Sequence, residues 1–288
     1  MRDFDFLEPA SLTEAVRMLS DLGDDCRIFA SGSALLLGMR QRMLSPTSVI
    51  SLGRLHEMRR IDFDARTGLR IGAMARHADI AQSLLVQTHY PVLASMASRL
   101  ANPQVRNQGT LGGNLCYADP STDPPGCLLA LGAKAILQGP GGERTVPFQD
   151  FLVDYFTTAL EPDEILVAVT IAPQAQGTVG VYTRHLRTAA EHRPMANATF
   201  LAQCQGAQCT NATLVIGAST AVPTRLARAE ALLTGKRVTP ELAEAAGDIA
   251  ANDMEAISDA RGSADFRRTV MRAVVKRTVA QAFNLSWS

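Results

Sequence analysis

Residues 107–125 are dense in Gly, Asn, Asp, Ser and Pro, and they interrupt an otherwise apolar chain. A stretch of that composition does not continue a core strand or a regular helix, so it reads as a long loop in mid-chain. Long loops inside compact domains tend to carry function. The core around it is well supplied, since hydrophobic residues make up 47% and charged residues 19% of the 288. That composition excludes a disordered or fibrous chain. Lys+Arg and Asp+Glu balance at 28 each. Whole-chain attraction to nucleic acid or to an acidic membrane is therefore excluded as the main theme.

Patterning over the first sixty residues reads as α/β. Ser11-Leu12-Thr13-Glu14 is a capping box, and the helix behind it places Leu12, Ala15, Val16 and Leu19 on one face. Strands are expected at 27–30, 49–52, 69–73 and 164–171, with helices over 34–42, 79–86 and 92–100. Residues 134–138 read as extended, closed by the turn Gly139-Pro140-Gly141-Gly142. Pro, Gln and Gly cluster over 173–180, which predicts a boundary near residue 175. No charged residue occurs over 194–224, but its apolar runs are too short for the ~20 residues of a membrane span. It reads as a hairpin, 198–204 and 210–217 around Gln205-Gly206. Helices follow at 225–233, after Thr239-Pro240, and at about 264–283. Phe266, Val270, Ala273 and Val274 form the stripe of the last one. Arg268, Arg272 and Lys276 on another face are either solvated or a partner contact.

Two loops carry the chemistry. Ala30, Ser31, Gly32, Ser33 and Ala34 join a strand to a helix, where small residues admit a ligand close to the backbone and helical N–H groups face an anion. A simple tight turn fits the same residues. Gly109, Thr110, Leu111, Gly112, Gly113 and Asn114 suit a nest of N–H donors for a pyrophosphate. Ser121 and Asp123, in the polar turn that follows, suit a ribose or ring edge. Neither a G-x-G-x-x-G fingerprint nor a Walker loop is present.

Val105 through Asn114 with Ala118-Asp119-Pro120-Ser121-Thr122-Asp123-Pro124-Pro125 closely resembles the flavoprotein subunits of the molybdenum hydroxylases, the family of carbon monoxide dehydrogenase medium subunits and xanthine dehydrogenase FAD domains. Phe4-Asp5-Phe6, Pro9-Ala10-Ser11-Leu12, Gly72-Ala73, His77-Ala78-Asp79-Ile80, Pro162-Asp163-Glu164-Ile165-Leu166 and Val222-Pro223-Thr224-Arg225 extend the resemblance over nearly the whole chain. It implies an α+β chain: an FAD-binding domain of the p-cresol methylhydroxylase/vanillyl-alcohol oxidase type (1–175, with two α/β subdomains of about 1–55 and 56–175), then a smaller C-terminal α/β domain of a sheet and helices (176–288). It assigns Ala30 to Ala34 and Gly109 to Asn114 to the FAD diphosphate and ribityl chain, and Asp123 to the sugar or adenine side. Leu100 and Ala101 fall beneath the adenine, and the backbone of Ile165 and Leu166 at the isoalloxazine edge. Arg184 stands where the family often has Lys; it either steadies the anionic reduced flavin or is a surface strand charge. Arg187 carries the same pair of readings. Two departures stand out: Ser31 replaces a Gly and Ala34 a Ser, and Ala190-Glu191-His192-Arg193-Pro194 replaces Gly-Asp-Phe.

The resemblance further implies one member of a complex. A small iron–sulfur subunit with [2Fe-2S] clusters and a large molybdopterin subunit would be its partners, as a dimer of heterotrimers. Electrons would leave the FAD for NAD, a quinone or oxygen. Cys26, Cys116, Cys127, Cys204 and Cys209 match no zinc or iron–sulfur spacing and read as small core residues in a reducing cytoplasm. No catalytic acid or base and no metal ligand is expected in this chain, nor a nucleic-acid partner. A stand-alone FAD oxidase of the same fold and a scaffold that has lost FAD remain as alternatives.

Overall fold

The computed structural model describes residues 2–188, 191–206 and 208–285. Strand β1 (Asp5–Leu7), helix α1 (Leu12–Leu22), β2 (Cys26–Phe29), α2 (Leu35–Arg40) and β3 (Ser48–Ser51) form a small parallel sheet in the order β1-β3-β2. A second, antiparallel sheet begins with β4 (Ile61–Asp64) and β5 (Gly68–Gly72). A run of short helices follows: α3 (His77–Gln82), α4 (Leu84–His89), α5 (Pro91–Arg99), α6 (Pro103–Gln108), α7 (Leu111–Tyr117) and α8 (Pro124–Ala130). Next come β6 (Lys134–Gly139), β7 (Gly142–Pro147), α9 (Phe148–Phe151) and a ribbon of β8 (Leu152–Asp154) and β9 (Thr157–Thr158). β10 (Ile165–Ile171) then enters the centre of the second sheet, ordered β4-β5-β10-β6-β7. The third sheet comprises β11 (Val179–His185), β12 (Ala196–Gln205), β13 (Gln208–Gly217) and β14 (Thr224–Arg225), with β15 (Lys236–Arg237) also on β13. Helices α10 (Ala227–Leu233), α11 (Pro240–Asp253) and α12 (Ala264–Ala282) complete the chain.

The elements follow from their sequences. Ser11 caps α1 by accepting from Glu14 N–H, and Ala15, Val16 and Leu19 are its buried face. The Glu14 carboxylate reaches one residue further back than a capping box requires, to Ala10 N–H at 2.7 Å. β10 is apolar throughout because strands flank it on both sides, and all its residues but Thr170 are buried. The charge-free stretch has the same explanation in the third sheet. Ala196, Ala198, Phe200, Ala202, Leu214 and Ile216 pack against Val270, Met271, Val274, Val275 and Val279 of α12. Tyr182, Leu201 and Val215 join the N-terminal core instead. With both faces covered over 196–202 and 214–217, that part of the hairpin has no solvent side on which charges would sit. Each large aliphatic or aromatic residue so buried contributes about 1.5–3 kcal/mol.

Several expectations are corrected. Residues 107–125 are not one loop: they contain α7, bounded by the end of α6 and the start of α8, because Asn102 and Thr110 cap and Pro103 and Pro124 lead these helices. The expected 79–86 helix is two, α3 and α4, since Ser83 ends the first and caps the second. On α12, Phe266 and Ala273 are exposed, and the buried stripe runs Arg267, Val270, Met271, Val274, Val275, Thr278, Val279. Arg268 pairs with Asp265, while Arg272 and Lys276 pair with Asp248 and Glu244 and so fasten α12 to α11. Cys116 and Cys204 are exposed rather than in the core. Ala190 and Ala207 lie outside the described residues. Among the described residues no helix is long and apolar enough to cross a membrane.

Arg267 is fully buried, donating to Met195 O (3.1 Å), Ala218 O (2.9 Å) and Asp259 (2.8 Å). Ala218 has φ +63°, a conformation non-glycine residues rarely adopt, and the guanidinium holds that turn. Ser219 also donates to Met195 O, so that carbonyl keeps a partner when Arg267 is removed, whereas Ala218 O loses the guanidinium. Arg267→Leu is expected to cost about 2–4 kcal/mol of stability, read from the chemical denaturation midpoint.

Candidate functional site

The first loop leaves β2 at Phe29 and turns at Gly32, whose φ is +75°. A Cβ on Gly32 would lie 2.4 Å from the Phe29 ring, so glycine is needed for both backbone and space. The Ser31 and Ser33 hydroxyls meet at 3.1 Å, and Leu36 N–H reaches Gly32 O to start α2.

The second loop is stitched to the second sheet. Ala73 N–H donates to Val167 O at a register shift in β10, and Ala73 O accepts from Gly112 N–H at 2.7 Å. Leu111 N–H donates to Ala75 O, Gly113 N–H to Thr110 Oγ1 and Asn114 N–H to Thr110 O. The Leu111, Gly112, Gly113 and Asn114 amides, expected to face an anion, are thus engaged within the protein. Gly112 is there for packing: a Cβ would sit 2.6 Å from Ala73 Cβ. The two loops face one another, a Cβ on Gly113 lying 3.5 Å from Ala30 Cβ. Ile165 and Leu166 are buried at the start of β10 and reach this junction through Val167 and Ala73. Asn114 donates to Thr122 Oγ1 (2.8 Å), while its own Oδ1 is buried with no protein partner. Ser121 N–H donates to Asp119 Oδ1 at 2.9 Å, closing the turn that leads to Asp123.

Asp123 is 2% exposed and faces β11. It accepts a hydrogen bond from the Tyr182 hydroxyl and pairs with Arg184 at 3.5 Å. The Arg184 side chain is 6% exposed, so the surface-charge reading is overturned. Its guanidinium also donates to Arg99 O and to His192 O. Arg99 donates to Tyr182 O, and Arg106 to Leu100 O and Ala101 O. These bonds hold the Leu100-Ala101 turn, in which Ala101 has φ +43°. Arg187, by contrast, is half-exposed and paired with Glu191. Arg99, Arg106 and Tyr182 escaped the sequence reading. The usable signal was the two-residue spacing of Tyr182 and Arg184, which puts both on one face of a strand.

Burial pushes the Asp123 carboxyl up to about 6, opposed by Arg184, by the Tyr182 hydroxyl and by Arg99. Burial raises Tyr182 well above its ordinary value, reinforced by Asp123. Burial lowers His77, 2% exposed beside Gly109, to about 4, and its Nδ1 has no protein partner. These two groups tilt stability in opposite directions. Asp123 binds its proton more tightly folded than unfolded, so between about pH 4 and 6 its contribution falls as pH rises. His77 binds its proton more weakly folded, so its contribution is complete above about pH 6.5 and is lost toward pH 4. Asp123→Asn is therefore expected to steepen the loss of Tm on acidification below about pH 6, and His77→Gln to flatten it. Parallel Tm–pH curves for the wild type and both variants would contradict the assignment. Gly112→Ala is expected to cost about 1–3 kcal/mol by forcing α7 off the sheet, measured by denaturant unfolding.

A cleft of about 320 Å³ lies elsewhere, between His89, Tyr90, Gln174, Thr178, Gly180 and Leu201. Among the described residues, no group of three or more His, Cys, Asp or Glu is placed to hold a metal ion.

Residues 2–174 match the family described as the FAD binding domain in molybdopterin dehydrogenase, and residues 182–282 the CO dehydrogenase flavoprotein C-terminal domain. The chain is 34% identical over 287 residues to the carbon monoxide dehydrogenase medium chain of Hydrogenophaga pseudoflava, covering 99% of this chain and 97% of that one. It is 32% identical over 277 residues to the nicotine 6-hydroxylase medium subunit of Paenarthrobacter nicotinovorans, covering 96% of each. Among solved structures, it matches a Hydrogenophaga pseudoflava carbon monoxide dehydrogenase lacking the Mo-pyranopterin moiety with a TM-score of 0.94 at 34% identity, covering 98% of both chains. It matches the quinoline 2-oxidoreductase of Pseudomonas putida 86 with a TM-score of 0.93 at 30% identity and the same coverage.

Proposed function

We propose that this chain, which belongs to the FAD-binding medium subunits of the molybdenum hydroxylases, holds FAD between its two loops and passes electrons from an iron–sulfur partner to an external acceptor. The observation that carries this reading is the apposition of Ala30 with Gly113, small residues on both sides of a junction between two sheets. The residues fit the cofactor. Asn114 Oδ1 is a buried acceptor without a protein partner, suited to a hydroxyl of the ribityl chain or ribose. The serine pair fits the diphosphate: Ser31 supplies a hydroxyl 3.1 Å from that of Ser33 and so makes up for the one lost at Ala34. With the second-loop amides occupied, the Ser31 and Ser33 hydroxyls are the anion donors.

FAD, when bound, supplies the redox chemistry, accepting electrons and passing them on. The protein positions it. Arg184 reaches the site through Arg99 O and Asp123, so its charge supports the turn that carries Leu100 and Ala101. Leu100, Ala101, Ser121 and Asp123 are assigned to the adenine and sugar side, and the backbone of Ile165 and Leu166 to the isoalloxazine edge. The division near residue 175, the small iron–sulfur and large molybdopterin partners in a dimer of heterotrimers, an acceptor such as NAD, a quinone or oxygen, and a cytoplasmic setting complete the proposal. Relatives named as medium chains and subunits support the multi-chain reading.

Asn114→Ala is expected to weaken FAD binding about tenfold, the worth of one hydrogen bond of about 1–1.5 kcal/mol, in a flavin titration of the apo chain. In the assembled complex, substrate added without oxygen should bleach the flavin absorbance, whereas the chain alone with its FAD should not respond. Turnover of an alcohol or phenol by the isolated chain would overturn the electron-exit reading.

A further inference from the structure

We propose that Cys204 and Cys209 are an oxidative modification site, at which a hydroperoxide closes an intrachain disulfide across the β12–β13 hairpin. The two are opposed in the strand register, Cys204 against Cys209, next to the pair Gln205 and Gln208 that bounds the turn. They share a face. Ala198, Phe200 and Ala202 point toward α12, the two-residue period brings Cys204 to the same side, and Cys209 is buried in that same cluster. A register shift between Gln203 and Cys204 absorbs Thr210 and preserves the pairing.

Opposed strand residues have Cα atoms about 4.5–5.5 Å apart, within the span of about 4.4–6.8 Å that a disulfide bridges. Their Cβ atoms stand about 4.5–5.5 Å apart, on average roughly 1 Å more than the bond needs. The closing movement falls to Cys204. Cys209 is fixed, its carbonyl accepting from Gly235 N–H, its thiol 3.3 Å from Asn211 O, and its backbone paired with Lys236. Cys204 lies exposed near the hairpin tip. Exposure also orders the chemistry, because the oxidant reaches Cys204 first and burial raises Cys209 above the ordinary thiol range. The remaining cysteines lack this arrangement: Cys26 opposes Ser48 in its sheet, while Cys116 and Cys127 lie on helices.

The reaction balances in two steps. With hydrogen peroxide, the Cys204 thiol gives up its proton and the thiolate attacks one peroxide oxygen, so an S–O bond forms and the O–O bond breaks; the departing hydroxide takes up the released proton and leaves as water, and the sulfur is oxidised by two electrons to a sulfenic acid. The Cys209 thiol then attacks that sulfur. The S–S bond forms, the S–O bond breaks, and the thiol proton departs with the hydroxide as a second water. The proposal does not depend on the flavin assignment.

The test treats the reduced full-length chain with hydrogen peroxide, alkylates free thiols, reduces, and labels the newly freed thiols for mapping by mass spectrometry. Cys204 and Cys209 are expected to lose their free thiols together and to regain them together on reduction. In Cys204→Ser, Cys209 is expected to stay a free thiol, and in Cys209→Ala, Cys204 is expected to accumulate as a sulfenic acid trapped by dimedone. Wild-type protein in which Cys204 is trapped while Cys209 remains free would overturn the proposal. So would wild-type protein in which neither is oxidised, or oxidation of Cys209 in Cys204→Ser.

Discussion

A carboxylate with 2% of its surface exposed needs a counter-charge, and for Asp123 that partner comes from the third sheet. An isolated buried charge costs several kcal/mol, so Asp123, Tyr182 and Arg184 stand or fall as a unit. The unit also extends outward. Arg184 holds Arg99 O and His192 O, and Arg99 holds Tyr182 O. The start of α8, the Leu100-Ala101 turn and β11 are thereby tied by one set of polar bonds that runs outward from the buried Tyr182–Asp123 contact, and both turns assigned to the cofactor's sugar and base lie on it.

The apolar counterpart of that unit is the β12–β13 hairpin. One face packs on α12 and the other contributes Leu201 and Val215 to the N-terminal core. Gly126 of α8 lies so close that a Cβ there would meet Asn197 Oδ1 at 3.3 Å. Asn197 also donates to Thr122 O, and Thr122 Oγ1 accepts from Asn114, so the C-terminal sheet reaches the second loop through that turn. On the opposite side, the bonds from Val167 through Ala73 to Gly112 register the same loop against the centre of the second sheet. The loop is held from two directions, and the groups proposed to meet FAD are Asn114 Oδ1 and the serines of the first loop.

How much of this was legible in the sequence varied with the kind of interaction. Periodicity placed β10, the hairpin and the last helix well, because burial on one or both faces leaves an apolar pattern. It misread 107–125, where glycines pack a helix against Ala73 and capping by Thr110 outweighs composition. Motif reading selected Asp123 and Arg184 as separate ligand contacts, and the structure places them against each other. Long-range pairing of that kind, 61 residues apart, leaves no local trace in one sequence. Arg267 was missed for a related reason: a buried arginine satisfied by the backbone carbonyls of Met195 and Ala218 looks like any surface arginine on a helix.

The proposal that the Asp123–Tyr182–Arg184 cluster holds the turns assigned to FAD rests on these bonds. Its most direct test is the FAD dissociation constant of Arg184→Gln, with circular dichroism and unfolding confirming that the fold persists. Weaker FAD binding than in the wild type is expected, in a chain that remains folded. An unchanged dissociation constant in the folded variant would contradict the proposal.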